Sequence, residues 1–86
     1  MPTFRVELRP KASKALDALD TITRTRVLSA IYALANDPRP HGVAKLRGRD
    51  GTYRVRVGDY RILYEVHDGA LLVLVVDVAN RREVYR

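Results

Sequence analysis

The stretch Tyr53-Arg-Val-Arg-Val-Gly-Asp-Tyr-Arg-Ile-Leu-Tyr64 decides how this chain is built. Apolar and basic residues alternate on both sides of Gly58-Asp59, the pattern of two half-buried strands joined by a two-residue turn. That turn sets Val57 opposite Tyr60, Arg56 opposite Arg61, Val55 opposite Ile62, Arg54 opposite Leu63 and Tyr53 opposite Tyr64. One face then carries Tyr53, Val55, Val57, Tyr60, Ile62, Tyr64 and Val66, an apolar layer able to cover helices. The other carries Arg54, Arg56 and Arg61. A slip of one residue would send the whole apolar set to water, so the register is strongly specified.

Working outward, Asp68-Gly69 signals a second hairpin, and the run over 71–78, nearly all β-branched or Leu, reads as a strand covered on both faces. A two-residue turn there predicts Leu63 opposite Leu74 and Arg61 opposite Val76. Upstream, Gly48-Arg-Asp-Gly51 turns the chain and residues 43–46 form a short strand. The loop Asn36-Asp-Pro-Arg-Pro-His-Gly42 comes before it, and Pro38 pushes Asp37 out of the helical region, so a helix ends about there. Ile22, Val27, Leu28, Ile31, Leu34 and Ala35 are the apolar positions of that helix, with Asp20 or Thr21 as its cap. An earlier helix opens at Pro10 and places Ala12, Ala15, Leu16 and Leu19 at helical spacing. Phe4, Val6 and Leu8 alternate along a first strand. The expectation is one α+β domain over residues 1–86, ordered β-α-α-β-β-β-β: an N-terminal strand, a two-helix hairpin, then antiparallel strands forming one twisted sheet packed on the helices.

Composition narrows the function. A chain of 86 residues allows one domain. It has no cysteine, which excludes disulfides, thiolate metal sites and thiol catalysis. With His41 and His67 as its only histidines, a zinc site is disfavoured. The longest apolar run, residues 70–76, is far short of the roughly 20 residues that span a bilayer. The N-terminus lacks the apolar core of a signal peptide, so a cytoplasmic protein is expected. The net charge of +6 favours a polyanionic partner. Of the basic residues only Lys11, Lys14 and Lys45 are lysine, and arginine's planar fork suits phosphate.

The strand register gives that charge an address. Arg56 faces Arg61 with Arg54 beside them, and directly opposed like charges destabilise a strand pair by up to about 1 kcal/mol. The nearest acid on that face is Glu65, further up the strand. An anion held by the cluster explains it most simply; the alternative is that the arginines splay into water and pair with Glu65 or Glu83. Lys45, Arg47 and Arg49 extend positive charge along the approach, as a nucleic-acid backbone requires. Tyr53, Tyr60 and Tyr64 belong to the helix-facing layer, whereas Tyr85 is terminal and basic-flanked. Asn80-Arg-Arg-Glu-Val-Tyr-Arg86 follows the last strand, so Arg81 or Arg82, with Tyr85, can close over the patch.

The stretch from Tyr53 to Tyr64, the strand over 71–78 and Arg81-Arg-Glu-Val-Tyr85 together resemble the RelE family, within the RelE/ParE superfamily of toxin–antitoxin toxins. The resemblance extends over nearly the whole chain. It implies a ribosome-dependent endoribonuclease that enters the A site of the 30S subunit and cleaves translated mRNA. It also implies a cognate antitoxin that wraps the toxin in a hetero-oligomer, and chemistry that needs no metal or other cofactor. By the same resemblance Arg54, Arg56 and Arg61 match the family's basic residues on the central strands and Arg81 or Arg82 its late arginine, with Arg61 and Arg81 holding the scissile phosphate. Tyr85 would be the base, its phenol lowered from a reference value near 10 by the arginines. On the residues' own reading, Lys45, Arg47 and Arg49 on the approach, with Arg82, would track the RNA. Some family members carry lysine where Arg54 and Arg56 stand. Guanidinium does not exchange protons, so these two read as electrostatic clamps, and the leaving-group acid stays unassigned. Two other readings share the fold: a ParE-like toxin that poisons DNA gyrase without cutting RNA, and an inactive protein whose basic groove only receives an acidic antitoxin segment.

Overall fold

The computed structural model describes residues 3–46 and 51–80. Strand β1 (Arg5–Leu8) exposes Arg5 and Glu7 and turns Val6 and Leu8 toward the core. Helix α1 (Pro10–Asp17) starts on Pro10, where the missing N–H loses nothing, and buries Ala12 and Leu16. Helix α2 (Thr21–Ala33) is capped by Asp20, whose carboxylate accepts the Thr23 N–H at 3.1 Å. That hydrogen bond holds the Asp20 carboxyl below its ordinary pKa.

Two details of α2 depart from the sequence expectation. Ile22 is 75% exposed and takes no part in the core. It lies about 140° around the helix from Val27 at 3.6 residues per turn, on the side away from the sheet. The helix also stops at Ala33 rather than near Asp37. The N–H groups of Leu34, Ala35 and Asn36 reach back three residues to Ile31, Tyr32 and Ala33, so the chain tightens into a narrower turn before Pro38.

The remaining strands are β2 (Ala44–Lys45), β3 (Thr52–Val57), β4 (Tyr60–His67) and β5 (Leu72–Asn80), and the sheet order is β1-β5-β4-β3-β2. The ladders from β2 to β5 are antiparallel, while β1 runs parallel to β5. The architecture is therefore α+β, with one mixed sheet. The β3–β4 register is the one read from the sequence, from Val57 opposite Tyr60 to Tyr53 opposite Tyr64. Gly58 takes φ +58°, the conformation this tight turn requires and a side chain would resist.

The second hairpin corrects the expectation. Asp68-Gly69 is not a two-residue turn: Asp68–Ala70 form a short 3-10 turn and Leu71 takes φ 50°, so pairing begins at His67 and Leu72. A bulge then skips Val76, and Leu63 meets Asp77 while Arg61 meets Ala79. Simple alternation after Val73 and Val75 would have driven Asp77 into the core. The bulge buries Val78 in its place, at 4% exposure, and turns Asp77 to the other face. Nor is β5 covered on both sides: Leu72, Leu74 and Val76 are only half-buried.

The core lies between the helices and one face of the sheet. Tyr64, Ile31, Ile62, Val27, Val73 and Val75 are fully buried there, each side chain contributing about 1.5–3 kcal/mol for its removal from water. Tyr53 and Tyr60 pack against this cluster, on the helix-facing layer as expected. The Tyr64 hydroxyl donates to the Pro38 carbonyl at 2.7 Å, and its ring stacks on Tyr53 with centroids 5.9 Å apart. Burial pushes the Tyr64 phenol up. Arg39 then fastens the proline-rich loop to the second hairpin: Nη2 and Nη1 donate to Asp68 at 2.7 and 3.1 Å, and Nε donates to the Tyr53 hydroxyl at 2.9 Å. No helix among the described residues is long and apolar enough to cross a membrane.

Candidate nucleic-acid interface

The face of the sheet opposite the core is assembled in rows by the strand register. Ala44, Arg54, Leu63 and Asp77 form one row across β2, β3, β4 and β5, and Arg56, Arg61 and Ala79 form the next. Helix α1 stands beside these rows and encloses, with them, a groove of about 700 Å³. Arg54 and Arg61 line it from the sheet, and Lys11 and Lys14 line it from α1. Between them the surface is apolar, made by Leu63, Ala79, Ala15 and Leu46.

Arg61 is 8% exposed, the one charged side chain in the buried class among the described residues. A guanidinium cannot shed its proton, so its charge stays fixed in the wall of the groove. Such a group is expensive to bury and is kept where it meets charge of the opposite sign. Asp77 is the acid that lines the same groove. Its Oδ2 lies 3.4 Å from Lys11 Nζ, and its Oδ1 accepts the Val78 N–H at 2.9 Å. Glu65 sits toward the far end of this face, where His67 Nε2 lies 2.8 Å from its Oε1.

The structure brings together only part of the residue set named from the sequence. Arg54 and Arg61 share the groove. Arg56 stands directly across from Arg61 but is exposed and lies outside the groove wall. Lys45 pairs with Tyr53, and cross-strand partners point to the same face, so it belongs to the side away from Arg54. Arg47, Arg49, Arg81, Arg82 and Tyr85 lie outside the described residues. Three groups were missed by the sequence reading. Lys11 and Lys14 are spaced i, i+3 on α1, a signal available to any helical plot. Asp77 was hidden by the bulge, which no alternation pattern announces.

Fixed cations around an apolar floor suit a ligand that joins an anionic group to a flat ring, as a nucleotide does. Known proteins share the fold. The chain is 26% identical to toxin RelE of Mycobacterium tuberculosis over 96% of its own length and 87% of the relative's. It is 32% identical to toxin RelG of the same organism over 71% of its own length and 76% of the relative's. The RelE chain in the crystal structure of the archaeal RelE–RelB complex from Pyrococcus horikoshii superposes with a TM-score of 0.82 at 31% identity, covering 92% of this chain and 96% of that one. The family model of the ParE toxin of the type II toxin–antitoxin system parDE matches residues 6–85. The chain belongs to that family, and so to the RelE/ParE superfamily of type II toxin–antitoxin toxins.

Proposed function

We propose that this toxin, acting as a single RelE-like domain, is a ribosome-dependent endoribonuclease that cleaves mRNA in the A site and so halts translation. The observation that supports it most is Arg61, 8% exposed and paired in one groove with Arg54 on a surface flanked by two lysines. In this reading the RNA 2′-oxygen attacks the adjacent phosphorus, the bond to the 5′-oxygen breaks, and a 2′,3′-cyclic phosphate results. The 2′-hydroxyl proton passes to the phenolate form of Tyr85, and the leaving 5′-oxygen takes a proton from water. Arg54 and Arg61, with Arg81, offset the charge that develops on the nonbridging oxygens, where fixed donors act most strongly. Arg56, exposed beside the groove, and Arg47, Arg49 and Arg82 carry the flanking backbone. Lys45 contributes only long-range attraction, since its strand position turns it from the groove.

The partner in this reading is an antitoxin that covers the groove in a hetero-oligomer in the cytoplasm. Its support is the Pyrococcus relative, which was crystallised as a RelE–RelB complex. A second reading is favoured by the matching family model, which is that of ParE. By the family resemblance, a ParE-like protein would poison DNA gyrase without cutting RNA. One experiment separates the two: pulse expression, then mapping of mRNA 5′ ends beside a gyrase supercoiling assay. Codon-phased ends with normal supercoiling support the nuclease; intact mRNA with inhibited gyrase overturns it.

A further inference from the structure

The core gives no reason for Ile22 and Tyr32 to be apolar. At 75% and 57% exposure they are two of the three large apolar side chains left in water among the described residues, and both lie on α2. At 3.6 residues per turn Ile22, Thr25, Ser29 and Tyr32 fall within about 80° of arc. All four are exposed. The helix carries no Asp, Glu or Lys, and its two arginines are drawn off this strip. Arg24 donates to the Leu16 carbonyl at 3.2 Å and to the Leu19 carbonyl at 2.8 Å. Arg26 lays its guanidinium against Gly58, with Nη2 3.7 Å from where a side chain there would begin. An exposed helix ordinarily covers its outer face with charged and polar groups. This one keeps an uncharged strip with a large apolar group at each end and two small hydroxyl residues between them.

We propose that this strip docks on the same strip of a second copy of the chain, α2 against α2, antiparallel about a two-fold axis. The spacing is self-complementary. Along the helix Ile22 and Tyr32 lie about 7.5 Å to either side of the level of Val27, and Thr25 and Ser29 about 3 Å. An axis at that level sets Ile22 beside the partner's Tyr32 and Thr25 beside the partner's Ser29. Small residues at the crossing let the two backbones approach, and the large ones close the contact at both ends. Charge favours a copy over other occupants. Two chains of net charge +6 repel each other, and a face without exposed charge is where they can meet. A polyanion would instead be drawn to the arginines and lysines of the groove, on the opposite side of the sheet. The β1 edge, the other surface two copies could share, is partly closed, because the Phe4 N–H already donates to the Ala35 carbonyl at 2.8 Å. One helix face supplies well under the roughly 800 Å² per partner of a stable complex, so dimers should form only at about 100 µM. Both grooves face away from the contact and stay open.

The test is sedimentation velocity of the purified chain over a concentration series spanning that value, at low and at high salt. The wild type is expected to move from the monomer toward the dimer as concentration rises. Added salt should strengthen the association, since it screens the repulsion between copies and leaves an uncharged contact untouched. Ile22→Glu and Tyr32→Lys should each stay monomeric with an unchanged melting temperature, because both side chains are exposed. An equimolar mixture of the two variants should associate again: at one end the new carboxylate meets the new ammonium, and at the other the original Ile22–Tyr32 contact survives. This rescued pair should weaken with salt, the reverse of the wild type. A wild type that remains monomeric throughout overturns the proposal. So does an association that persists in both single variants, or one that salt weakens in the wild type. A mixture that fails to associate overturns the antiparallel pairing.

Discussion

Arg61 and Ile62 are neighbours on β4 and face opposite sides of the sheet, and the two sides hold their residues by different means. On the helix side Ile62, Tyr64, Val73 and Val75 are 0% exposed and are positioned by packing, with one hydrogen bond from the Tyr64 hydroxyl to Pro38. On the other side Arg54, Arg61, Lys11 and Asp77 are positioned around a groove by charge, over a thin apolar floor. Packing is short-ranged and unforgiving of lost volume, so the first face carries stability. Charges around a groove gain most from a ligand of opposite sign, so the second is spare capacity until something binds. The difference teaches that adjacent substitutions on one strand should alter different observables.

Several outcomes would break or sharpen that division. The largest effect belongs to the packed face: Ile62→Ala should cost about 2–5 kcal/mol, a large part of a small domain's stability, in urea denaturation. Arg61→Ala should instead lower mRNA cleavage by about 10²–10³, the usual loss for a donor aimed at developing charge. Its midpoint of unfolding should fall by less than that of Ile62→Ala, because the guanidinium lines an open groove and not the core. A large loss of stability with cleavage intact would reverse the assignment of the two faces. Tyr64→Phe deletes only the hydroxyl that reaches Pro38; it should cost about 1 kcal/mol and leave cleavage unchanged. Arg56→Ala, outside the groove wall, should weaken RNA binding a few-fold and reduce the slope of log affinity against log salt by about 1.

The smallest effect is a pH dependence at the loop. The Arg39 guanidinium holds the Asp68 carboxyl below its ordinary value of 3.8. A carboxyl with a lowered folded pKa adds stability above its unfolded pKa and loses it as pH falls through the folded one. Asp68→Asn should therefore lower the melting temperature slightly at neutral pH. The gap should close as the solution approaches about pH 2, where both forms are uncharged at this position. Since both side chains are largely exposed, added salt should shrink the neutral-pH gap as well.

The legibility of the molecule followed the range of the interactions involved. The β3–β4 hairpin could be read residue by residue, since Gly58 announces its turn and a slipped register would bury arginines. The arginine rows followed from that register without any coordinates. In the β4–β5 hairpin Asp68-Gly69 has the composition of a tight turn, but the positive φ falls on Leu71, and the extra loop residues shift every pair after it. Ile22 was misplaced for a related reason, because helical spacing names apolar residues but not which of them the sheet will reach. Of the groove, Arg54 and Arg61 were visible in advance, while the α1 wall with Lys11 and Lys14 was not.

What the amino-acid sequence determined by itself was local: the alternation, the proline and glycine breaks, and the cap at Asp20 specify which segments become strands and helices and which face of β3 and β4 is basic. What only the tertiary structure decided was non-local. The parallel docking of β1 on β5, the bulge that turns Asp77 outward, and the approach of α1 to Arg61 each join residues far apart in the chain. Their geometry depends on how whole layers pack. Periodicity reports the solvent preference of each side chain, and the position of a distant wall is no property of any one segment.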